Sequence, residues 1–492
     1  MQSNLQREWR LYLEGKSYKA KRNLYQTVEV NENFYIGKQW EGVTSNGLPT
    51  PVFNFMKRVV NYLVASIASD SVRLHAEPIG LTSERDCEYV NAAFTEIIED
   101  VDLSGLLRKS LKNAAVDGDA CIYMYWDPEV ETGEVQSGGI RAEIVDNTRV
   151  IFGNETERRV QYQPYVMIES EEYNSEVYRK AEKFNRDNLP KLNSPEGKQT
   201  VVLKLWKEDG RVLATEFCAG TIIRPTWETG LTRYPLTWIS WDEVRDSYHG
   251  QALVTGLIPN QVFVNKLFAM AKVSLMTTAY PKILYDKTRL DKWDSRVGSA
   301  IGVNGGDMSS VARIIDPAAI SPQISQFINL AISYTQNFMG ATDAALGNVN
   351  PTNTSAIIAL QRASQVPTEL VKLDLNRFTE DFGRNALDFC RAYYGRRKIR
   401  LEKGKAEYYN FENLGSAAMK IKLEVGAGNY WSEIATVQTL DNLLSRGAIN
   451  FAEYLERIPD GYIKGKADLL KSRTEKFESS GEAVANGAGV SR

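Results

Sequence analysis

The spacing of apolar residues changes along this chain, and that change constrains the fold more than any single motif does. Over residues 53–67, apolar side chains recur at steps of three and four, which places them on one face of a helix. From Ala120 the pattern becomes short apolar runs, such as ACIYMYWD and YVMIES, separated by turn residues, as in strands. Strongly helical segments return at about residue 258. The sequence therefore predicts an α+β fold.

Capping residues refine the prediction for the first helices. Residues 1–35 are predicted to form a polar, charged helix with interspersed aromatic side chains. The next long helix begins near residue 83, where Thr82 or Ser83 supplies an N-cap. Gly105 is expected to interrupt this helix because glycine weakens helix interiors.

Turn residues mark where the segments of the strand-rich part end. Asp209-Gly210 between two apolar runs predicts the tight turn of a β-hairpin. The segment 171–199 is highly charged, has helical character and ends in Pro and Gly residues. We predict that it is a surface insertion in a mixed helix and strand body.

Two helices flank a small basic segment in the middle of the chain. Pro259 fits the first turn of the first helix, where no backbone donor is needed, and Pro281 ends that helix. Ser321 and Pro322 begin the second helix. The intervening residues 282–320 have short strand-like runs.

The last part begins with a loop of small and polar residues at 341–355. A long helix is predicted over 354–394, and Pro367 inside it should kink the backbone just upstream. A strand, a short helical array over 431–477 and a disordered tail over 479–492 complete the prediction.

Composition limits the class of protein. The 492 residues are 43% hydrophobic and 25% charged, which fits a folded chain of two to four structural regions. The formal net charge of −3 argues against a protein that coats DNA. No signal peptide or apolar membrane-spanning segment is present, so we expect synthesis and folding in a cytoplasm. The four cysteines are far apart, which argues against a disulfide framework or zinc site.

Residues suited to catalysis are few. The chain has two histidines, His75 and His249, and neither belongs to a metal-binding motif. No phosphate-binding loop is present. Asp117 and Asp119 are metal-ligand candidates, although the pattern AVDGDA favours a turn between a helix and a strand. The mixed cluster in SWDEVRDSYHG is more typical of salt bridges in a loop than of a two-metal nuclease. No catalytic residue, metal site or cofactor is therefore predicted.

Four local sequences, in this order, are informative together. They are NFYIGKQWEG followed by LPTPVFNFMKRVVNYLVASI, then SYHGQALVTGLIPNQVFVNKL, FMGATDAALGNVNPTNTSAIIALQRAS and FAEYLERIPDGYIKGKADLL. With the order helix, small β segment, helix, loop and long helix, they resemble the portal proteins of tailed bacteriophages over nearly the whole chain.

The resemblance implies a ring subunit with distinct regions. The implied regions are the N-terminal wing 1–246, a stem helix 247–279, the clip 280–320, a second stem helix 321–340, the tunnel loop 341–355, the rest of the wing 356–428 with the long kinked helix and a strand, the crown 429–478 and the tail 479–492. The apolar residues of the first stem helix occupy more than one face. Neighbouring subunits could bury them, and so could a single globular core.

Two sets of candidate site residues follow. The tunnel loop is expected to touch moving DNA through polar side chains, namely Asn348, Asn350, Thr352, Asn353, Thr354 and Ser355. It lacks Lys and Arg, so it should not hold phosphates tightly, although it is also compatible with an ordinary turn. The clip carries cations for docking or for a solvated surface: Lys282, Lys287, Arg289, Lys292, Arg296 and Arg313.

The partners implied by the resemblance are those of a head vertex. They are further copies of the chain, usually about twelve in a cyclic ring, the large subunit of the terminase motor, the major capsid and scaffolding proteins, a head-completion or adaptor protein, and double-stranded DNA in the channel. No membrane partner is expected, and the expected location is the virion, with assembly in the host cytoplasm. The alternatives are another phage head or connector protein and an enzyme, either a metal-dependent nuclease or a motor subunit.

Overall fold

A computed structural model describes most of the chain. The described residues are 2–45, 47–68, 72–80, 83–131, 137–190, 196–279, 282–294, 296, 298–315, 322–338, 368–401, 406–415, 418–425 and 430–458. The fold is 48% helical and 24% strand, so the predicted α+β class is confirmed. The chain forms two compact units, Met1–Ala68 with Leu74–Leu423, and Ser69–Arg73 with Glu424–Arg492.

Helices precede, flank and follow the sheets. The α-helices of the described residues are α1 (Gln2–Lys21), α2 (Leu24–Ile36), α3 (Phe55–Ile67), α4 (Glu84–Asp100), α5 (Leu103–Asp117), α6 (Asn174–Phe184), α7 (Leu253–Ala279), α8 (Pro322–Phe338), α9 (Glu369–Phe389), α10 (Tyr430–Ser445) and α11 (Phe451–Arg457). A π-helical turn, Cys390–Tyr394, extends α9 to the residue where the sequence predicted its end.

The strands form small antiparallel sheets. They are β1 (Val72–Pro78), β2 (Asp119–Asp127), β3 (Gly139–Val145), β4 (Val150–Phe152), β5 (Tyr165–Tyr173), β6 (Lys198–Glu208), β7 (Arg211–Cys218), β8 (Ile222–Glu228), β9 (Leu236–Ser240), β10 (Ile283–Tyr285), β11 (Ala312–Ile314), β12 (Arg396–Arg400), β13 (Ala406–Asn410) and β14 (Met419–Val425). The two larger sheets have the orders β3-β2-β9 and β4-β5-β6-β7-β8. The pairs β1-β14, β10-β11 and β12-β13 are separate.

The five-stranded sheet is buried on both faces. Val202 of β6 packs with Tyr12 of α1 in one cluster. The adjacent Val201 packs with Val177 of α6 in another cluster. Neighbouring residues of a strand point to opposite faces, so α1 and α6 cover the two sides of this sheet.

The segment 171–199 differs from the predicted surface insertion. It contains the end of β5, the helix α6 and the start of β6. Val177 and Ala181 of α6 are fully buried. Only two apolar residues in an otherwise charged helix supply this contact, which is why composition alone suggested a surface position.

The break between α4 and α5 also differs from the prediction. Ser83 caps α4 by accepting a hydrogen bond from the Arg85 amide at 3.2 Å, as predicted. The interruption, however, lies at residues 101–102, before Gly105. Asp102 adopts a left-handed conformation with φ of 47° and caps α5 by accepting from the Gly105 amide at 3.1 Å. A Cβ at Gly105 would lie 2.0 Å from the Asp102 carboxylate, so this glycine makes room for the cap.

The hairpin at Asp209-Gly210 is confirmed. Glu208 of β6 pairs with Arg211 of β7 directly across the turn. Asp209 and Gly210 have φ angles of 49° and 78°, the left-handed pair that a two-residue type I′ turn requires.

Pro259 lies inside α7, not in its first turn. The helix begins at Leu253, upstream of the predicted start, because Leu253, Val254 and Leu257 are buried against the body. Tertiary packing therefore extends the helix through a residue that cannot donate to the carbonyl one turn earlier.

The second unit contains α10 and α11. Its buried cluster consists of Leu440, Tyr454, Leu455 and Ile458. Asn450 and Glu453 form a capping box at the start of α11. These two helices agree with the predicted helical array up to residue 458, and the rest of that array lies outside the described residues.

Candidate assembly interface: stem helices and clip

The helix α7 is buried over its first half and uncovered over its second half. Buried side chains occur from Leu253 to Asn265, and none of the residues from Lys266 to Ala279 is buried in the single chain. Met270, Leu275 and Met276 are 59%, 57% and 51% exposed. Large apolar side chains exposed in a contiguous stretch are typical of a surface that another molecule covers.

A buried network of amide side chains fixes the first half of α7. Asn265 donates to Gln39 Oε1 at 2.6 Å, and Gln261 donates to Asn265 Oδ1 at 3.0 Å. Gln261 Nε2 also donates to the Phe53 carbonyl at 2.8 Å, and its Oε1 accepts from the Met56 amide. Two of the sequence segments quoted above, around Gln39 and around Gln261, therefore meet in the fold.

The helix α8 packs against α7 and is also incompletely covered. Asn260 Nδ2 of α7 donates to Thr335 Oγ1 of α8 at 3.1 Å. Phe327, Leu330 and Tyr334 are exposed large hydrophobic residues of α8. The helix pair leaves apolar side chains uncovered on both of its members.

The predicted clip contains a short hairpin. β10 and β11 pair with Ile283 opposite Ile314. Between them Arg289 organises the connecting loop, because its guanidinium donates to the carbonyls of Gly305 and Asp307 and to Ser310 Oγ. Five donors in a rigid fork suit this task.

The six predicted docking cations of the clip fall into two groups. Arg289 holds the loop, and Arg296 forms a salt bridge with Asp294 at 2.7 Å. The others are exposed and form no ion pair with another described residue: Lys282, Lys287, Lys292 and Arg313. The geometry therefore separates cations that stabilise the loop from cations that are available to a partner, a distinction that spacing could not make.

The other predicted site residues lie outside the described residues. These are the tunnel-loop residues Asn348, Asn350, Thr352, Asn353, Thr354 and Ser355, and the kink residue Pro367. Their proposed roles remain predictions.

His249 and Asp119 form a buried structural pair. The carboxylate of Asp119 contacts His249 Nδ1 at 2.8 Å and accepts from Ser240 Oγ and the Gly250 amide at 2.6 and 2.7 Å. Burial lowers the pKa of His249, and the hydrogen bond to Asp119 opposes that shift. Asp119 and His249 are only 1% and 3% exposed, so the pair lies in the core of the chain. His249 lies between β9 and α7, and the other histidine, His75, lies in β1.

The remaining polar candidates also have structural roles. Asp117 ends α5 and Asp119 begins β2, which confirms the predicted turn between helix and strand. Glu243 pairs with Arg158, and Asp242 forms a backbone bridge with Gln251. Within the part of the chain that the structure describes, no group of three His, Cys, Asp or Glu residues could hold a metal ion. In that same part, no helix is long and apolar enough to cross a membrane.

Comparison with known protein families agrees with this architecture. Residues 167–460, more than half of the chain, match the model of the phage P22-like portal protein. A search of the curated proteins found no match. The chain belongs to the P22-like portal protein family, whose members are structural proteins of the tailed-phage capsid.

Residues 1–166 precede the matched region, and apart from Ser69–Arg73 they belong to the same unit as residues 167–423. β4 pairs with β5, and β2 pairs with β9. The amide network described above joins Gln39 to α7. Sequence analysis did not identify this network; the signal available was the set of polar Gln and Asn residues at otherwise apolar positions of α7.

Proposed function

We propose that copies of this chain form a closed ring at one vertex of the capsid. The ring is the channel for packaging and ejection of double-stranded DNA, and the platform on which the terminase motor and later the head-completion proteins dock. Scaffolding and major capsid proteins surround it during assembly. The region boundaries given above for wing, stem, clip, tunnel loop and crown belong to this proposal.

The uncovered half of α7 is the observation that carries the proposal. A cyclic ring repeats one heterologous contact until it closes, and each subunit then buries a surface that a monomer leaves in water. The 27 residues of α7 span roughly 40 Å, and the paired helix α8 adds a second uncovered surface. Met270, Leu275 and Met276 are available for contact with a neighbouring copy.

The docking role is assigned to the four available cations of the clip. Lys282, Lys287, Lys292 and Arg313 project from a hairpin and loop whose shape depends on Arg289. Their charge suits an acidic surface on a partner protein. Arg289 and Arg296 are assigned to the loop itself.

The tunnel loop and the proline of the long helix complete the proposal. The loop 341–355 carries one charged residue, Asp343, and several amides and hydroxyls. Amides and hydroxyls can hydrogen-bond to phosphates, but they do not attract them as strongly as Lys and Arg do. This suits DNA that must keep moving. If Pro367→Ala packaged DNA as well as the parent, the kink would have no role in moving DNA.

The stem contact is tested by charge insertion. We expect the Met270→Glu, Met276→Glu double variant to lose rings in negative-stain images and to run as single chains in mass photometry, because carboxylates cannot be buried without partners. The matched control is Leu13→Glu with Val30→Glu, which changes exposed apolar residues of α1 and α2. Rings formed by the stem variant as readily as by the parent would overturn the assignment of α7 to the subunit interface.

The enzyme alternative has a direct test. Purified protein incubated with magnesium, ATP and duplex DNA should neither hydrolyse the nucleotide nor cut the DNA. Either activity would contradict the portal role and would favour the nuclease or motor alternative.

A further inference from the structure

An open cleft of about 520 Å³ lies beside the start of α3. Its lining consists of Asn54, Lys57, Arg58, Asn61 and Tyr62. The backbone donors at this helix start are already bonded: the Lys57 amide donates to Asn54 Oδ1 at 3.2 Å and the Met56 amide to Gln261 Oε1 at 3.3 Å. A ligand in the cleft would therefore be recognised by side chains.

Two of the lining residues, Lys57 and Arg58, are cations, and Lys112 lies near the same tyrosine ring as Lys57. Lys57 of α3 and Lys112 of α5 lie 5.5 and 5.1 Å from the ring centre of Tyr35. Within the described part of the chain, neither lysine nor Arg58 forms a salt bridge. Lys112 interacts electrostatically with the nearby Asp117, so its charge is partly offset. Lys57 and Arg58 are adjacent in the chain and form no salt bridge with a described residue, so their charges are available to an anion.

The other polar groups of the cleft add hydrogen-bond donors. Asn61 Oδ1 accepts from the Tyr35 hydroxyl at 2.7 Å, which leaves its amide NH2 as the available group. The Tyr62 hydroxyl bonds no other described residue. Ammonium, guanidinium, amide NH2 and phenol donors together suit a ligand with several acceptor oxygens in different directions.

We propose that this cleft binds a phosphate group, carried by a nucleic-acid backbone or by a small phosphate ester. Arg58 offers bidentate contact to two phosphate oxygens, and Lys57 offers a point charge beside it. Arg108, Lys109 and Lys112 of α5 are further exposed cations. This site is independent of ring formation through the stem.

The test uses two double variants of the full-length protein. Lys57→Gln with Arg58→Gln removes both charges from the cleft. The matched control, Lys183→Gln with Arg186→Gln, removes an exposed lysine in the last turn of α6 and an exposed arginine just after that helix. Binding of inorganic phosphate and of AMP is measured by calorimetry. Binding of a labelled DNA duplex of about 20 base pairs is measured by fluorescence anisotropy over a series of salt concentrations. Melting curves by circular dichroism check that each variant folds.

We expect the cleft variant to bind phosphate and AMP about tenfold or more weakly, with no change in the control. The source of the phosphate is a nucleic-acid backbone if the DNA affinity of the cleft variant also falls and the slope of log affinity against log salt concentration decreases by the amount expected for about two phosphate contacts. If DNA binding is unchanged, the source is a small phosphate ester. Failure of the parent to bind phosphate and AMP, or equal binding by the parent and a folded cleft variant, would overturn the proposal.

Tyr62→Phe gives a second measure with little effect on folding. It removes one donor and keeps the ring, so phosphate affinity should fall a few-fold, by roughly the worth of one hydrogen bond. Unchanged affinity in this variant together with tenfold loss in the charge variant would still place the phosphate on Lys57 and Arg58.

Discussion

The side chain of Asp117 shows how burial changes the chemistry of a single residue. Burial raises its pKa to about 7, and the neighbouring carboxylates of Glu32 and Asp146 act in the same direction. One of its carboxylate oxygens, Oδ1, has no hydrogen-bond partner among the described residues. In the sequence it was one of two aspartates in a turn, and only the packing around it sets its charge.

The expected consequence is a pH-dependent stability that Asp117→Asn removes. The folded state keeps the proton of Asp117 between about pH 4 and 7, while the unfolded state releases it, so this residue lowers stability as pH rises through that window. We expect the variant to be more stable than the parent by roughly 1–3 kcal/mol at pH 8, with the difference vanishing near pH 4. Urea unfolding followed by circular dichroism measures this difference. A constant difference across the range would show that Asp117 is ionised in the folded state.

Among single residues, the sequence predicted the local roles well. Ser83 caps α4, and Asp209-Gly210 forms the hairpin turn, because both depend on chemistry within a few residues. The prediction that Gly105 interrupts the helix was wrong, because Gly105 lies inside α5 and makes room for the Asp102 carboxylate that caps it. The sequence could not predict that Arg289 holds the clip loop while other clip cations stay exposed, because that distinction depends on the conformation of the loop.

At the scale of elements, α7 shows tertiary packing overriding a local rule. Pro259 is tolerated inside the helix because apolar residues before it are buried and the amide residues after it are bonded to the body. Two further predictions concern this element.

Replacing Pro259 by alanine should restore a missing backbone hydrogen bond. We expect Pro259→Ala to raise the unfolding free energy by about 1–3 kcal/mol. Pro225→Ala, at an exposed position on the edge strand β8, should change it little or lower it slightly through greater unfolded-state entropy. Chemical unfolding of both variants gives the comparison. A loss of stability in Pro259→Ala would mean that the packing of α7 requires the proline.

Removing Gln261 should leave buried partners unsatisfied. Gln261→Ala leaves the Met56 amide, the Phe53 carbonyl and Asn265 without the hydrogen bonds that Gln261 forms with them. We expect it to lower the unfolding free energy by about 2–4 kcal/mol. The control Gln251→Ala changes an exposed side chain and should have an effect within about 0.5 kcal/mol. Thermal and urea unfolding report both. If the two variants are equally stable, the amide network does not hold α7 in place.

For the whole molecule, the driving force proposed for the ring is burial of apolar surface on α7 and α8. Such association resists salt, because it does not depend on pairs of exposed charges. We expect rings to persist in about 0.5 M KCl and to increase with ammonium sulfate, as measured by mass photometry. Dissociation in KCl would show that charged groups, rather than Met270 and its neighbours, hold the subunits together.

The sequence by itself determined the α+β class, the order of elements, the local caps and turns, and the resemblance to portals. These depend on residue spacing and on chemistry between near neighbours, which a linear chain carries directly. Only the tertiary structure decided that α6 covers a sheet and that Gln39 and Gln261 bond the same Asn265. It also decided that His249 is buried on Asp119 and that Lys57 and Lys112 both lie near the ring of Tyr35. Each of these contacts joins residues far apart in the chain, where the deciding energies are burial and desolvation in a shared environment.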